Sequence, residues 1–270
     1  MSVDVKAATL AWRDGRFAAG ERPVPEEAAV AVSINGTTHA VMMATPSDLK
    51  DMALGLALNE RIVRTADEIE RLEMEAVDGG YDCRLWLVPQ RAATYVARRR
   101  QMTGPVGCGL CGVESLEYAT VSLPRLDDVL AVEPVQIVRA MEEMAEGQVL
   151  GRRTRAVHAA AFHRPGTGCI VIREDVGRHN ALDKVTGHLA AAGTDASLGF
   201  LTITSRLSVE LVQKSAMMGC GLIAAISVPS ALALREADTA GITVVAVARG
   251  DTFEVFTHPR RIVGAVEPRP

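Results

Sequence analysis

The sequence lacks a strong excess of one charge, a long apolar run and a secretory leader. It has 29 Lys and Arg against 33 Asp and Glu, a formal net charge of −4. Affinity for nucleic acid or anionic membranes depends on cations that neutralise phosphates, so the composition argues against a general binder of either. The longest apolar runs, such as residues 222–228, are too short to cross a bilayer. The start of the chain lacks an apolar signal segment, so we expect a soluble, cytoplasmic protein.

The chain also lacks the composition of a disordered, collagen-like or disulfide-stapled protein. Glycine and proline supply 23 and 12 of 270 residues, and 48% of residues are hydrophobic, as in ordinary globular proteins. The five cysteines are odd in number and unevenly spaced, unlike those of a secreted disulfide framework. The length predicts two domains.

The first part of the chain has the pattern of antiparallel hairpins around a helix. Residues 28–34 and 37–44 predict two strands joined at Asn35-Gly36, a strong hairpin signal. Thr45 is a candidate N-cap for the amphipathic helix that follows, with Pro46 at its first position. Residues 73–77 and 81–88 predict a second hairpin. We therefore expect a small α+β domain over residues 1–102.

The second part of the chain alternates apolar strands with helices. The pattern predicts strands at 157–162, 169–173, 198–204, 222–228, 242–248 and 253–257, and helices that begin at Pro134 and cover 180–192, 208–218 and 231–240. Such alternation is typical of a mostly parallel sheet with helices on both faces, here an α/β domain over residues 126–270. We expect Met217 and Met218, on an apolar helix face, to pack in the core.

Between these parts, a glycine-rich stretch holds a Cys-x-x-Cys pair, Cys108 and Cys111. We expect residues 103–125 to form an exposed, mobile loop and linker. Zinc would need further ligands, and a thioredoxin-like pair would follow a strand at a helix start. A third possibility is sulfur carriage, in which flanking glycines let the thiol move between sites. Residues 98–100, all arginine, precede the stretch; they could meet a helix dipole or contact phosphate or an acidic partner.

Polar residues follow the predicted strands of the second part. Two acids, Arg178 and a histidine lie at 174–180, Ser205 and Arg206 lie in 204–208, and a further candidate turn spans 248–252. Ligands of open α/β sheets bind outside the carboxyl ends of strands, and a helix start with hydroxyls and arginine suits a phosphate. We expect the first two loops to come from neighbouring strands and to face one crevice. In a purely structural alternative, Asp175 caps a helix and Arg178 pairs locally.

Three motifs together resemble the formate dehydrogenase accessory sulfurtransferase family, FdhD. They are GCGLCGVE at residues 107–114, EDVGRHNALDK at 174–184 and VQKSAM at 212–217, and THPR at 257–260 also fits. The resemblance covers residues 30–262. It implies a sulfur carrier that accepts persulfide sulfur from a cysteine desulfurase and passes it to the molybdenum bis-guanine-dinucleotide cofactor of formate dehydrogenase.

The resemblance also assigns roles to residues. Cys108 would carry the persulfide and Cys111 would assist. The cofactor would be bound as substrate, with contacts from Val247, Ala248, Arg249, Gly250, Asp251 and Thr252. From the positions of the helix starts, we expect its phosphates to rest near Arg178, Ser205 and Arg206, or on Arg249. Residues 98–100 could supply the positive field that favours the Cys108 thiolate. The family implies a homodimer and a cytidine-deaminase-like, three-layer αβα second domain, without a structural metal.

Other functions remain open at this point. A zinc deaminase needs a Pro-Cys-x-x-Cys at the second helix start, where this chain has no cysteine, so hydrolytic deamination is disfavoured. A non-catalytic chaperone would bind the cofactor and dock formate dehydrogenase without forming a persulfide. A dithiol oxidoreductase would turn over through a reversible disulfide between Cys108 and Cys111.

Overall fold

A computed structural model describes residues 2–99, 123–127 and 129–266 of the chain. These residues form three β-sheets, of two, four and six strands. In the described ranges no helix is both long and apolar enough to cross a membrane. Cys108 and Cys111, and nearly all of the predicted linker at 103–125, lie outside the described residues.

The chain begins with a hairpin that the sequence analysis did not predict. Strands β1 (Asp4–Arg13) and β2 (Arg16–Pro25) pair along their full length. Asp14 and Gly15 join them with φ of 50° and 76°, the positive values that a two-residue hairpin turn requires. The Asp-Gly pair was therefore the available signal.

The first helix packs on a four-stranded sheet of order β4-β3-β6-β5. Its strands are β3 (Ala28–Ile34), β4 (Thr37–Ala44), β5 (Ile69–Val77) and β6 (Gly80–Leu87). Both predicted hairpins are confirmed, and β3 pairs with β6 in parallel. Helix α1 (Leu49–Asn59) covers this sheet, and helix α2 (Pro89–Arg99) adds Tyr95 to the same core.

The predicted N-cap of α1 was wrong. The helix begins four residues later than Thr45, with Asp48 at the N-cap position in a left-handed conformation. Thr45 is fully buried and bonds instead to the second half of the chain, where its N–H donates to Asp175 and its Oγ1 accepts from Val176. Thr45 therefore makes a tertiary contact and does not cap the helix.

The six-stranded sheet is mixed rather than mostly parallel, so that prediction was also wrong. Its strands are β7 (His158–Arg164), β8 (Gly168–Asp175), β9 (Phe200–Ile203), β10 (Leu222–Ala225), β11 (Thr243–Arg249) and β12 (Thr252–Thr257), in the order β12-β11-β10-β9-β7-β8. Only the β9–β10 and β10–β11 pairs are parallel, whereas β7–β8, β7–β9 and β11–β12 are antiparallel.

Helices cover both faces of this sheet. One face packs against α5 (Arg178–Ala191), α6 (Val209–Met217) and α7 (Ala231–Ala240). The other packs against α3 (Pro134–Gly147), which the short α4 (Val149–Thr154) follows. Ala160 and Phe162 face one core while Ala159 and Ala161 face the other, as strand alternation requires. The fold is therefore α/β, as predicted; its likeness to cytidine deaminases remains a prediction.

Two glycines bring α1 and α5 into close contact. A Cβ on Gly55 would lie 1.9 Å from the carbonyl oxygen of Asp183, and one on Gly187 would lie 1.8 Å from that of Asp51. Both obstacles are backbone atoms, which cannot rotate away as a side chain can. The contact between the two halves of the chain therefore depends on glycine at both positions.

We predict that Gly55→Ala and Gly187→Ala each lower the free energy of unfolding by about 2 kcal/mol, because a methyl group must push the helices apart. At an unobstructed helical position, Gly→Ala raises the free energy of unfolding by about 1 kcal/mol. The sign of the measured change therefore shows whether the added methyl group is obstructed. Thermal and urea unfolding measure the effect. Gly147→Ala is the matched control, since its Cβ meets only the movable tip of Ile172. Stabilisation by either interface variant would contradict the account.

Candidate functional site

The predicted ligand residues converge at one edge of the six-stranded sheet. Strands β8, β9, β10 and β11 point in the same direction, so their carboxyl ends lie together. Arg178 starts α5 just after β8, Ser205 and Arg206 follow β9, and residues 249–252 form the turn from β11 to β12. We call this edge the strand-end edge.

The loops after β8 and β9 do not come from neighbouring strands, contrary to the prediction. Strand β7 lies between them and runs the opposite way, so its first residue, His158, sits at the strand-end edge. The sequence analysis gave His158 no role. The sequence shows only that His158 lies at the start of a predicted strand. It does not show the order of the strands, which is what brings His158 to this edge.

The exposed part of the edge carries three arginines beside the exposed Asp251 and the half-buried Glu210. Arg206 and Arg249 are exposed and Arg178 is half-buried. Arg249 Nε donates to the carbonyl of Ile226 at 3.1 Å, which ties the β11–β12 turn to the loop after β10. Ser205 is buried and its hydroxyl donates to the carbonyl of Arg206, so it shapes its own loop. The three guanidinium groups are the groups here best suited to phosphate oxygens.

Strand β11 ends in an unusual backbone conformation. Val247 has φ of 53°, and the pairing with β12 shifts register between Ala246 and Arg249. A β-branched residue rarely adopts positive φ, and such strain, on the order of 1–3 kcal/mol, concentrates at functional sites. Val247 is the first of residues 247–252, the segment that the family resemblance assigns to the cofactor, and that assignment remains a prediction.

Two neutral histidines accompany Arg178 at this edge. Burial lowers the pKa of His179 to about 4, with Arg178 and Lys214 adding to the effect against Glu210. Burial and the Arg178 charge also lower the pKa of His158. His179 Nε2 is buried without a hydrogen-bond partner in the described part of the chain, and it lies 4.0 Å from Glu210 Oε2. A neutral imidazole can donate or accept a hydrogen bond beside an anionic ligand.

Most of the motif at 174–184 is structural. Asp175 and Lys184 are fully buried and form an ion pair of 2.6 Å. Asp175 also accepts hydrogen bonds from the backbone N–H groups of Thr45 and Gly177 and from Asn180 Nδ2. Lys184 Nζ donates further to the carbonyls of Thr45 and Glu174. We call Asp175, Lys184, Thr45 and Asn180 the Asp175 cluster; it joins the two halves of the chain.

A second buried pair connects this motif to the one at 212–217. Lys214 Nζ lies 2.6 Å from both carboxylate oxygens of Asp183, and Asn59 Nδ2 donates to the same carboxylate at 2.7 Å. Burial raises the pKa of Asp183, with Lys214 and Asn59 acting against it. Helices α1, α5 and α6 are thus held together by one carboxylate.

The basic run that ends α2 contacts a different helix from its own. Arg98 Nη1 donates to the carbonyls of Glu60 and Arg61, at 2.8 and 3.3 Å, which terminate α1. A cation there meets the negative end of a helix dipole, which is one of the two hypotheses for residues 98–100. The helix concerned is α1, not α2, which carries the arginine. The side chains of Arg99 and Arg100 lie outside the described residues.

The three described cysteines are poor nucleophiles. Burial raises the pKa of Cys83 to about 12 and those of Cys169 and Cys220 to about 11. The Cys83 and Cys220 thiols are buried, and Cys169 is half-buried. Because the thiolate is the reactive form, thiol chemistry at neutral pH is disfavoured at all three.

We predict that Lys184→Met destabilises the protein by about 3–5 kcal/mol, because it leaves the Asp175 carboxylate buried without its cation. Asp175→Asn should cost a similar amount, and the double variant less than the sum of the two. Urea unfolding of all four proteins measures this coupling. The exposed pair Lys6–Glu21 is the control, and its coupling should stay below about 1 kcal/mol. Additive effects at Asp175 and Lys184 would contradict the assignment.

We also predict that iodoacetamide at pH 7.5 labels Cys83, Cys169 and Cys220 at least about 100-fold more slowly in the native protein than in urea, because little thiolate is present and burial blocks access. Peptide mapping over time gives the rate at each cysteine. Cys169, the least buried of the three, is the most sensitive probe. Labelling of Cys169 at the unfolded rate would show that its environment is misassigned.

Comparison with known proteins gives a consistent result. A family model described as the FdhD/NarQ family matches residues 25–263. A relative from Agrobacterium fabrum named sulfur carrier protein FdhD is 51% identical over 259 residues, covering 96% of each chain. One of the same name from Brucella abortus is 48% identical over 255 residues, covering 94% of this chain and 95% of the other.

The fold has a counterpart among solved structures. The crystal structure of a proposed formate dehydrogenase accessory protein from Desulfotalea psychrophila superimposes with a TM-score of 0.76, over 97% of this chain and all of that one, at 24% identity. At that identity the likeness shows the fold alone. The family match over most of the chain and the identity to its curated members show that this chain belongs to the FdhD/NarQ family.

Proposed function

We propose that the chain is a sulfurtransferase that carries persulfide sulfur on Cys108 from a cysteine desulfurase to the molybdenum bis-guanine-dinucleotide cofactor of formate dehydrogenase. The observation that carries the proposal is the identity of about half to relatives named sulfur carrier proteins. The raised pKa values of the other three thiols support it, since two of these thiols are buried and Cys169 is half-buried, which leaves Cys108 and Cys111 as the candidates for sulfur chemistry.

The loading step follows from thiol chemistry. The Cys108 thiolate attacks the terminal sulfur of the donor persulfide, a new S–S bond forms, and the donor cysteine leaves as a thiolate. Cys108 then carries a persulfide, whose sulfur–sulfur bond holds two oxidising equivalents. When the terminal sulfur leaves as sulfide, the thiolate of Cys111, three residues after the carrier, attacks the Cys108 sulfur, so a disulfide forms as the persulfide bond breaks. An external thiol reductant then returns both cysteines to thiols.

The strand-end edge is the proposed binding site for the cofactor, which is a substrate of this protein. Arg178, Arg206 and Arg249 would bind the phosphates of its guanine dinucleotides, and residues 247–252 would contact it through the strained turn. A bis-dinucleotide presents several phosphate groups, which matches cations distributed over three loops. The neutral imidazole of His158 would hydrogen-bond to the ligand without adding charge, whereas the Nε2 atom of His179 is buried and would not contact it.

The alternative function is that of a non-catalytic chaperone. Binding of the cofactor at the strand-end edge fits both functions and does not distinguish them. The two proposals differ only in whether sulfur becomes covalently attached to Cys108. A dithiol oxidoreductase would show a disulfide that turns over instead. The homodimer that the family resemblance implies is compatible with both a sulfurtransferase and a chaperone, so it does not distinguish them.

We predict that incubation with a cysteine desulfurase and free cysteine, without reductant, adds about 32 Da per persulfide to the intact protein, reversed by reductant. Peptide mapping should place the sulfur on Cys108. Cys108→Ala should abolish the gain without changing the melting temperature or cofactor binding, whereas the control Cys169→Ala should load normally. No gain in the wild-type protein, with cofactor binding intact, would favour the chaperone.

A further inference from the structure

A cavity of about 440 Å³ opens at the far end of α6 from the strand-end edge. It is lined by Leu58, Arg61, Val63, Arg64, Arg91 and Met217. We call it the arginine pocket. Its lining combines three apolar side chains with three guanidinium groups. Met217, which the sequence predicted to be core, lines the cavity and accepts a hydrogen bond from Arg61 Nε at 3.2 Å. Met218 is partly buried and packs against the core.

The wall of the arginine pocket is held in place by bonds to the end of α1. Arg91 donates to the carbonyls of Arg61 and Ile62, and Arg98 donates to those of Glu60 and Arg61. Arg61 itself has φ of 58°, a conformation that persists only when its surroundings enforce it. A pocket built this way is formed before any ligand arrives, which reduces the entropy lost on binding.

The pocket carries a net positive charge. Arg61, Arg64 and Arg91 line it and Arg98 lies beside it. Two carboxylates stand against these four arginines: Glu68, which pairs with Arg91, and Glu60, which lies 2.8 Å from His39. Positive charge therefore remains in excess. Arg64 is exposed at the rim. The combination of an apolar floor and a cationic rim fits an acidic segment that also presents an apolar side chain.

The position of the pocket suits a sulfur carrier. Helix α6 begins at the strand-end edge and ends at Met217, so its nine residues separate the two places by about 13 Å. Cys108 follows Arg99, the last residue of α2, by nine residues, and an extended chain of that length spans at most about 30 Å. Arg98 contacts the carbonyl of Arg61, so α2 ends beside the pocket. The covalent tether is long enough for Cys108 to reach either end of α6.

We propose that the arginine pocket docks an acidic segment, bearing an apolar side chain, of the protein that donates sulfur to Cys108. This inference rests on the proposed function and adds the surface on which the donor binds. The donor and the cofactor then bind at opposite ends of α6, and neither has to leave before the other arrives. Formate dehydrogenase, the client, is the other protein that could occupy the pocket, and the test distinguishes it from the sulfur donor.

The test compares the full-length chain with Arg64→Glu, the conservative Arg64→Lys, and Arg235→Glu, a matched charge reversal at an exposed residue of α7. Titration calorimetry measures the Kd for a purified cysteine desulfurase. A second assay measures loading of Cys108 from that desulfurase and from inorganic polysulfide, which needs no docking. We expect Arg64→Glu to raise the Kd and slow desulfurase loading at least tenfold, with polysulfide loading unchanged. Arg64→Lys and Arg235→Glu should stay within about threefold of wild type.

Other outcomes separate the two proposals. A Kd for Arg64→Glu within twofold of wild type overturns the docking site, as does an equal loss in Arg235→Glu. A loss confined to formate dehydrogenase binding also overturns it, since the occupant would then be the client. A wild-type chain that takes sulfur from neither donor overturns the proposed function itself.

Discussion

The buried ion pair between Asp175 and Lys184 is the interaction on which the rest of the structure depends. Two charges removed from water are tolerated only when their remaining hydrogen-bonding capacity is met. Much of that capacity is met by the backbone of Thr45, from the other half of the chain. The strand-end edge therefore reaches its final form only when both halves are docked, and the glycine contact between α1 and α5 lets them dock closely.

This constraint divides the family motifs into two kinds of residue. Asp175, Asn180, Asp183 and Lys184 point inward and connect helices and halves, and Lys214 completes the second pair. The residues left for a ligand are those in the exposed loops, chiefly the arginines after β8, β9 and β11. The same scaffold fixes the ends of α1 and α6, which form the arginine pocket. One buried network thus positions both proposed ends of the sulfur route.

The sequence predicted the features that neighbouring residues determine, such as turns and helices. Asn35-Gly36 located a hairpin, and the helix beginning at Pro134 appeared as expected, because turn geometry and periodicity are local. Strand order and direction depend on long-range pairing, so β7 between β8 and β9 was not foreseen. Thr45 was misassigned because a buried carboxylate competed for its N–H. The convergence of the site loops was predictable from strand ends, whereas the inward direction of most of the 174–184 motif was not.

The account's central claim is that sulfur bound to Cys108 reaches the cofactor of formate dehydrogenase. The most direct measurement loads the chain with ³⁴S persulfide, removes the donor, and adds the cofactor without its sulfido ligand together with apo-dehydrogenase, in the absence of free sulfide. Mass spectrometry then follows the label from the Cys108 peptide to the cofactor. The account predicts that the label leaves Cys108 and appears on the cofactor as formate oxidation activity rises. Activation without transfer of the label, or equal activation by Cys108→Ala, would contradict it.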